Sequence, residues 1–221
     1  MKCIGNEKVL YIIGGHSTAL EIKEVFDYFY RGVYSVIYNV IAPGENTALG
    51  NTVFDPDLDG YLKRNSEIYF ITGMTNPELK NRYRLLFKDY GGVEVNCIHP
   101  TSYISASARI GKGVYCGPYS VISSRAVIED GSFINIHASV GHDCHIGKDC
   151  CINPGVRVSG NVSLGDRTLV GANSCIFQGI KIGSDCAVDA MTYVERDIGD
   201  VMICTSRMGG LKVYKNKFIQ Y

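Results

Sequence analysis

The sequence has no surplus of charge of either sign: 22 Lys and Arg stand against 22 Asp and Glu, a formal net charge of zero. A protein that grips nucleic acid by its phosphates ordinarily carries a basic excess, so that class is set aside. Long apolar runs are also missing, and none approaches the ~18 residues of a membrane-spanning helix. The opening Met1-Lys2-Cys3-Ile4-Gly5-Asn6-Glu7-Lys8 lacks the hydrophobic centre of a signal peptide, so the expected location is the cytoplasm. Nine cysteines are present without a CxxC pair, the spacing that builds zinc sites. In a reducing compartment they read as buried thiols acting as small hydrophobes. What remains is an ordinary globular chain, 221 residues long and 46% hydrophobic, with room for one large domain or two small ones.

The chain divides near residue 100. Before it, strand-like and helix-like patterns alternate. Val9-Leu10-Tyr11-Ile12-Ile13 is a short apolar run ending in Gly14-Gly15. Thr18 to Tyr30 follows with Ile22, Val25, Phe26 and Phe29 at helical spacing. Val33 to Val40 and Glu67 to Thr72 are further strands, the latter ending at Gly73. Asn76-Pro77-Glu78 reads as a helix N-cap, an N1 proline and an acidic first turn. Leu79, Tyr83, Leu86, Phe87 and Tyr90 mark one face of that helix, Gly91-Gly92 ends it, and Val93 to Ile98 is a last strand. This order predicts a small parallel sheet covered by helices.

The second half obeys a period of six. From Ile104 to Val194 a residue returns at every sixth position, and fifteen of these sixteen lead residues are Ile, Leu or Val. A second, mostly small residue stands four places after each lead, as at Ala126, Ser132, Ala138, Cys144, Cys150 and Cys186. Glycine occupies the place after the lead seven times, which suggests a sharp backbone bend there. Such a period fits neither a helix nor simple strand alternation; it marks a hexapeptide β-helix, three hexads to a coil of eighteen residues. The ninety-six residues then build a prism roughly 25 Å tall with lead and i+4 side chains inside. The period does not fix the hand of the coil, and parallel crossovers are usually right-handed.

With these motifs in view, the chain resembles bacterial sugar acyltransferases of the hexapeptide-repeat superfamily, in the branch of nucleotide-amino-sugar N-acetyltransferases and sialic acid O-acetyltransferases. The most specific stretch runs Asn135-Ile136-His137-Ala138-Ser139-Val140-Gly141-His142-Asp143-Cys144-His145-Ile146-Gly147. The resemblance covers about residues 8–203 and implies three segments. Residues 1–99 would be a Rossmann-like domain binding a sugar nucleotide. Residues 100–203 would form a left-handed β-helix, and 204–221 a tail. It also implies a homotrimer with acetyl-CoA as co-substrate in the groove between adjacent prisms.

The residue chemistry agrees. His142 stands at an outward position, and histidine is the side chain best suited to take a proton near neutral pH. Asp143 beside it is placed to orient the imidazole. One coil later, 142 + 18 gives Gly160, which leaves space above the ring and a bare N–H for an oxyanion. Taken alone, His142 would read as a solvated histidine; the surrounding motif and Gly160 reverse that.

By resemblance, Asn135 touches the acceptor, and Cys151, Ala172 and Ala190 stand where relatives contact CoA. Gly14-Gly15-His16-Ser17-Thr18, between a strand and a helix, is a phosphate-type turn. It resembles the family's glycine-glycine-histidine turn but is about two residues shorter. Asn39 stands where the amino-sugar branch tends to place acids, and Gly73 belongs to the family's third-strand turn. The family's usual ending is absent after Ile203, and Arg207, Lys212, Lys215 and Lys217 make a charged tail, expected to be solvated.

Three other readings compete. His137 and His142 have the spacing of two zinc ligands in γ-class carbonic anhydrases, but the third ligand position holds Thr101, so no metal is expected. A non-catalytic trimeric scaffold would not need the set Asn135, His142, Asp143 and Gly160. Acetylation of oxygen rather than nitrogen uses the same base, and the phosphate-type turn favours a nucleotide-linked amine.

Overall fold

The computed structural model describes residues 8–15, 17–42, 50–206 and 209–217. The chain forms two compact units, Met1–Cys97 and Ile98–Tyr221.

In the first unit, β1 (Lys8–Ile13), β2 (Val36–Ile41), β3 (Thr52–Phe54), β4 (Glu67–Thr72) and β5 (Val93–Glu94) make one sheet in the order β3-β2-β1-β4-β5. Every pairing in it is parallel. The five apolar residues Val9 to Ile13 are fully buried, as befits a central strand covered on both faces. Helix α1 (Ser17–Phe29) follows β1 and buries Ala19, Ile22, Val25 and Phe26. Phe29, expected on that stripe, is half exposed at the helix end. A short helix α2 (Leu58–Leu62) follows β3; neither it nor β3 was expected. Helix α3 (Pro77–Asp89) begins where the sequence places it, with Asn76 Oδ1 accepting the Leu79 N–H at 3.0 Å. β2 begins at Val36 rather than Val33, and the run from Val93 breaks after Glu94. Sheet order reverses between β1 and β4, so the chain leaves their adjacent C-terminal ends in opposite directions.

The second unit is a stack of two-residue rungs, each pairing in parallel with the rung eighteen residues away. Val121–Ile122, Ser139–Val140 and Arg157–Val158 succeed one another on one face, and Val127–Ile128, His145–Ile146 and Ser163–Leu164 on the next. Phe133–Ile134, Cys151–Ile152 and Leu169–Val170 lie on the third. These stacked sheets form a parallel β-helix, consistent with the left-handed coil of the resemblance. Lead residues from Ile122 to Val194 are buried in one continuous core together with the i+4 side chains. Polar i+4 groups are satisfied by corner carbonyls of the next coil: Ser132 Oγ donates to Gly147 O at 2.7 Å and Thr168 Oγ1 to Gly183 O at 2.8 Å. Cysteines substitute directly, with Cys144 Sγ donating to Ser159 O and Cys150 Sγ to Gly165 O.

The bend falls elsewhere than expected. Positive φ occurs at i+3, as in Arg125, His137, Asp143 and Asn161, and at none of the seven glycines that follow a lead. Those glycines answer a different constraint. A Cβ on Gly141 would lie 2.6 Å from the backbone carbon of Ser159, so the coils approach too closely there for any side chain.

Residues 212–215, expected within a solvated tail, instead form a strand antiparallel to Met202–Thr205, which itself pairs with Ala187–Val188. Asn216 is buried, its amide donating to Asp185 O at 3.2 Å. Arg207 lies outside the described residues.

Candidate functional site

His142 projects from the corner between the Ser139–Val140 and His145–Ile146 rungs, with half of its side chain exposed. Its Nδ1 lies 2.7 Å from Oδ2 of Asp143. Arg125, eighteen residues earlier, grips the same carboxylate from the coil before: Nε donates to Oδ1 at 2.6 Å and Nη2 to Oδ2 at 2.8 Å. The Arg125 guanidinium first, and then the His142 hydrogen bond, hold the Asp143 carboxyl down to about 2. Asp143 is therefore ionised at any working pH and can only accept hydrogen bonds. Nδ1 of His142 must carry the proton of that bond, which leaves Nε2 as the free base.

Gly160 lies one coil further on. A methyl group at its Cα would sit 2.6 Å from Nε2 of His142 and 2.7 Å from Cε1. Only glycine leaves the imidazole its place. The backbone N–H also differs from its equivalents on a neighbouring corner. Lys112 N–H donates to Asp130 Oδ1, Lys148 N–H to Asp166 Oδ1 and Ser184 N–H to Asp200 Oδ1, at 2.7–2.8 Å. At Gly160 no side chain from the coil above takes this role, and its N–H makes no hydrogen bond among the described residues. A base and an unspent donor thus share one corner, a pairing suited to deprotonating a nucleophile and stabilising an oxyanion.

The other expected residues separate into two groups. Asn135 and Cys151 meet on the Phe133–Cys151 face, with Asn135 Nδ2 3.8 Å from Cys151 Sγ, and the buried thiol turned toward Asn153 Oδ1 at 3.4 Å. Ala172 and Ala190 stack on the corner beside that face, which one prism face separates from the His142 corner of the same chain. The Ala190 N–H is taken by Asp189 Oδ1 at 2.9 Å. The Ala172 N–H makes no hydrogen bond among the described residues.

In the first unit, Gly14 and Gly73 close on each other at the ends of β1 and β4. Gly14 adopts φ 135°, and a Cβ there would press on Gly73 O at 3.0 Å. Gly15 is half-buried, Ser17 and Thr18 open α1, and His16 lies outside the described residues. Asn39 is fully buried, and its amide donates to Ile12 O at 3.1 Å and Gly14 O at 2.6 Å. It braces the turn from inside. Thr72, just before Gly73, buries an Oγ1 with no hydrogen-bond partner among the described residues. A cleft of about 640 Å³, bordered by Lys23, Arg31, Tyr34, Val36 and Asn51, opens at the opposite end of the strands from this turn and holds none of the expected residues.

Arg125 is the contributor that the sequence reading missed. Subtracting eighteen from Asp143, as eighteen was added to His142, would have found it. Among the described residues no group of three or more His, Cys, Asp or Glu is placed to hold a metal ion, and no helix is long and apolar enough to cross a membrane.

Two family models match this part of the chain: the bacterial transferase hexapeptide (six repeats) over residues 125–160, and the hexapeptide repeat of succinyl-transferase over 161–196. Residues 125–196 thus match hexapeptide-repeat models of bacterial transferases. The chain is 29% identical over 102 residues to GDP-perosamine N-acetyltransferase of Escherichia coli O157:H7, a stretch covering 46% of this chain and 44% of that one. The chain thus aligns with less than half the length of that curated relative. Among solved structures it is similar to PerB from Caulobacter crescentus, crystallised with CoA and GDP-perosamine. The identity is 27% and the TM-score 0.82, over 95% of this chain and 98% of that one. The acetyltransferase domain of PglB from Neisseria gonorrhoeae FA1090, solved with acetyl coenzyme A, shares the fold at 24% identity and TM-score 0.80, over 90% and 96% of the two chains.

Proposed function

We propose that the protein is an acetyl-CoA-dependent N-acetyltransferase acting on a nucleotide-linked 4-amino-4,6-dideoxy sugar, as a cytoplasmic homotrimer serving surface-glycan synthesis. The observation that carries this reading is the seat of the His142 imidazole beneath Gly160, with its Nδ1 held by Asp143. The acceptor amine attacks the thioester carbonyl while Nε2 takes the N–H proton. The tetrahedral oxyanion forms beside the Gly160 N–H. Its collapse breaks the C–S bond, and the departing thiolate recovers the proton from the imidazolium. No covalent enzyme intermediate is needed.

The N-terminal unit, on this reading, is Rossmann-like; the order β3-β2-β1-β4-β5 and the Gly14–Gly15 turn ahead of α1 support it. That turn would receive the acceptor's phosphates. Trimerisation would supply a neighbouring chain's face and corner, with Asn135, Cys151, Ala172 and Ala190, to complete the CoA groove that one chain leaves divided.

The test is mass spectrometry of acetyl-CoA reactions with uridine-, thymidine- and guanosine-linked 4-amino-4,6-dideoxy sugars, and with free and cytidine-linked sialic acid. One acetyl added to an amino sugar, with turnover reduced ~10²–10⁴-fold by His142→Ala, is the expected result. Acetylated sialic acid would move the chain to oxygen transfer. Near-normal turnover in His142→Ala would overturn the mechanism.

A further inference from the structure

We infer that Arg125 is a positioning residue for acyl transfer: by clasping both oxygens of Asp143 it fixes that carboxylate against Nδ1 of His142. The inference rests on the reading of His142 as the base, and it names a part of the machinery outside the His142–Asp143–Gly160 set.

The geometry distinguishes this clasp from an ordinary surface pair. Oδ2 of Asp143 lies within hydrogen-bond distance of both Nδ1 of His142 and Nη2 of Arg125, while Oδ1 takes the second arm of the fork. A carboxylate held at both oxygens cannot rotate, so its bond to His142 has a set direction. Asp143 sits on a partly exposed corner, and without the fork water would compete for both oxygens and the ring would lose its tether. A guanidinium suits this task because its planar pair of donors matches the carboxylate, whereas an ammonium offers charge without that match.

The fold supplies its own control. Arg167 and Asp185 are also eighteen residues apart and make the same fork, at 2.6 and 2.7 Å. There the residue before the aspartate is Ser184, whose hydroxyl accepts the Asp166 N–H, and no imidazole is present. The clasp is thus a coil-to-coil device of the prism, made at 125/143 and at 167/185. At 125/143 the clasped carboxylate also holds an imidazole, and that imidazole is the base. Arg125 is also the more exposed of the two arginines, at 66% of its side chain against 39%, so its contribution belongs to rate more than to stability.

The experiment is a double-mutant cycle on the full chain, measuring kcat and the KM for acetyl-CoA with whichever acceptor the mass panel identifies. Arg125→Gln should lower kcat about tenfold, a fraction of what loss of the base costs, with KM within about twofold. Arg125→Lys should recover part of that loss. Introduced into Asp143→Asn, the same Arg125→Gln change should alter kcat less than about twofold, because the group it acts through is gone. Arg167→Gln should leave kcat unchanged while lowering the melting temperature. An undiminished kcat in Arg125→Gln, or an equal loss in the Asp143→Asn background, would overturn the inference and return Arg125 to a structural staple. Near-normal turnover in His142→Ala would overturn it together with the base on which it rests.

Discussion

The imidazole of His142 occupies the space a side chain at residue 160 would need: a methyl group on Gly160 would lie 2.6 Å from Nε2. The base is therefore held on two sides, by Asp143 at Nδ1 and by the Gly160 backbone across the ring.

Gly160→Ala should consequently abolish most activity without unfolding the prism. All three atoms closest to the added methyl belong to the His142 ring, the movable end of a side chain, and Gly160 does not have a positive φ. The ring swings aside and the reacting geometry is lost, which a misplacement of about 1 Å can turn into a ~10²-fold fall in rate. Turnover measured beside a thermal melt checks this; full activity in the variant would show that His142 acts from another position.

Acid should reveal the same site through stability. The Asp143 carboxyl is held at about 2 in the folded protein, against an ordinary value of about 3.9 in the unfolded chain. A depressed folded value gives stabilisation that is complete above the unfolded value and lost as the pH falls from about 4 toward 2. Denaturation of wild type and Asp143→Asn across that range should show a gap that is small because solvent screens the pair, constant above pH 5, and narrowing as the pH falls from about 4 toward 2. A gap that does not narrow over that range would mean the carboxylate is not clasped.

Burial pushes the thiols of Cys116, Cys150 and Cys204 up to about 12. Alkylation proceeds through the thiolate, so at pH 8 these three should resist iodoacetamide in the native protein and label only after unfolding. Peptide mapping after timed labelling reads this directly. Cys150→Ser should fold as well, since Ser132 already makes the equivalent bond to Gly147 O one coil earlier.

Asn39→Asp should destabilise the first unit. The amide that donates to Ile12 O and Gly14 O would be replaced by an acceptor facing two acceptors in a fully buried place. The cost is about 1–3 kcal/mol or more, as for any buried polar group left without partners. Urea denaturation would show it as a lower midpoint; an unchanged midpoint would mean that the turn does not depend on this brace.

The prism was readable from the sequence because each hexad buries only its lead and i+4 residues, so burial writes a period of six into the chain. The His142–Gly160 relation followed by adding one coil. What escaped has local causes. Asn39 lies within a strand whose side chains alternate, and nothing in its spacing says that its amide turns to backbone carbonyls. The Ala190 N–H is taken by the carboxylate of the residue before it, a bond that no coil period encodes. Strand 212–215 is four residues long and carries two lysines, which reads as solvated until Met202–Thr205 offers it an edge. The bend of each corner was assigned to the glycines after the leads, because glycine most often signals φ rather than want of room.

Arg125, His142 with Asp143, and Gly160 come from three successive coils, so the chemistry belongs to the stacking interval and not to any one loop. An inserted residue anywhere from 126 to 159 would shift every later residue by one eighteenth of a coil and move the glycine off the ring or the arginine off the carboxylate. Length here is set by the stack: between these positions paired rungs lie eighteen residues apart, whereas in the last coil, beyond the interval that holds the base, Ile182 meets Ile198 and Ala187 meets Ile203 at sixteen.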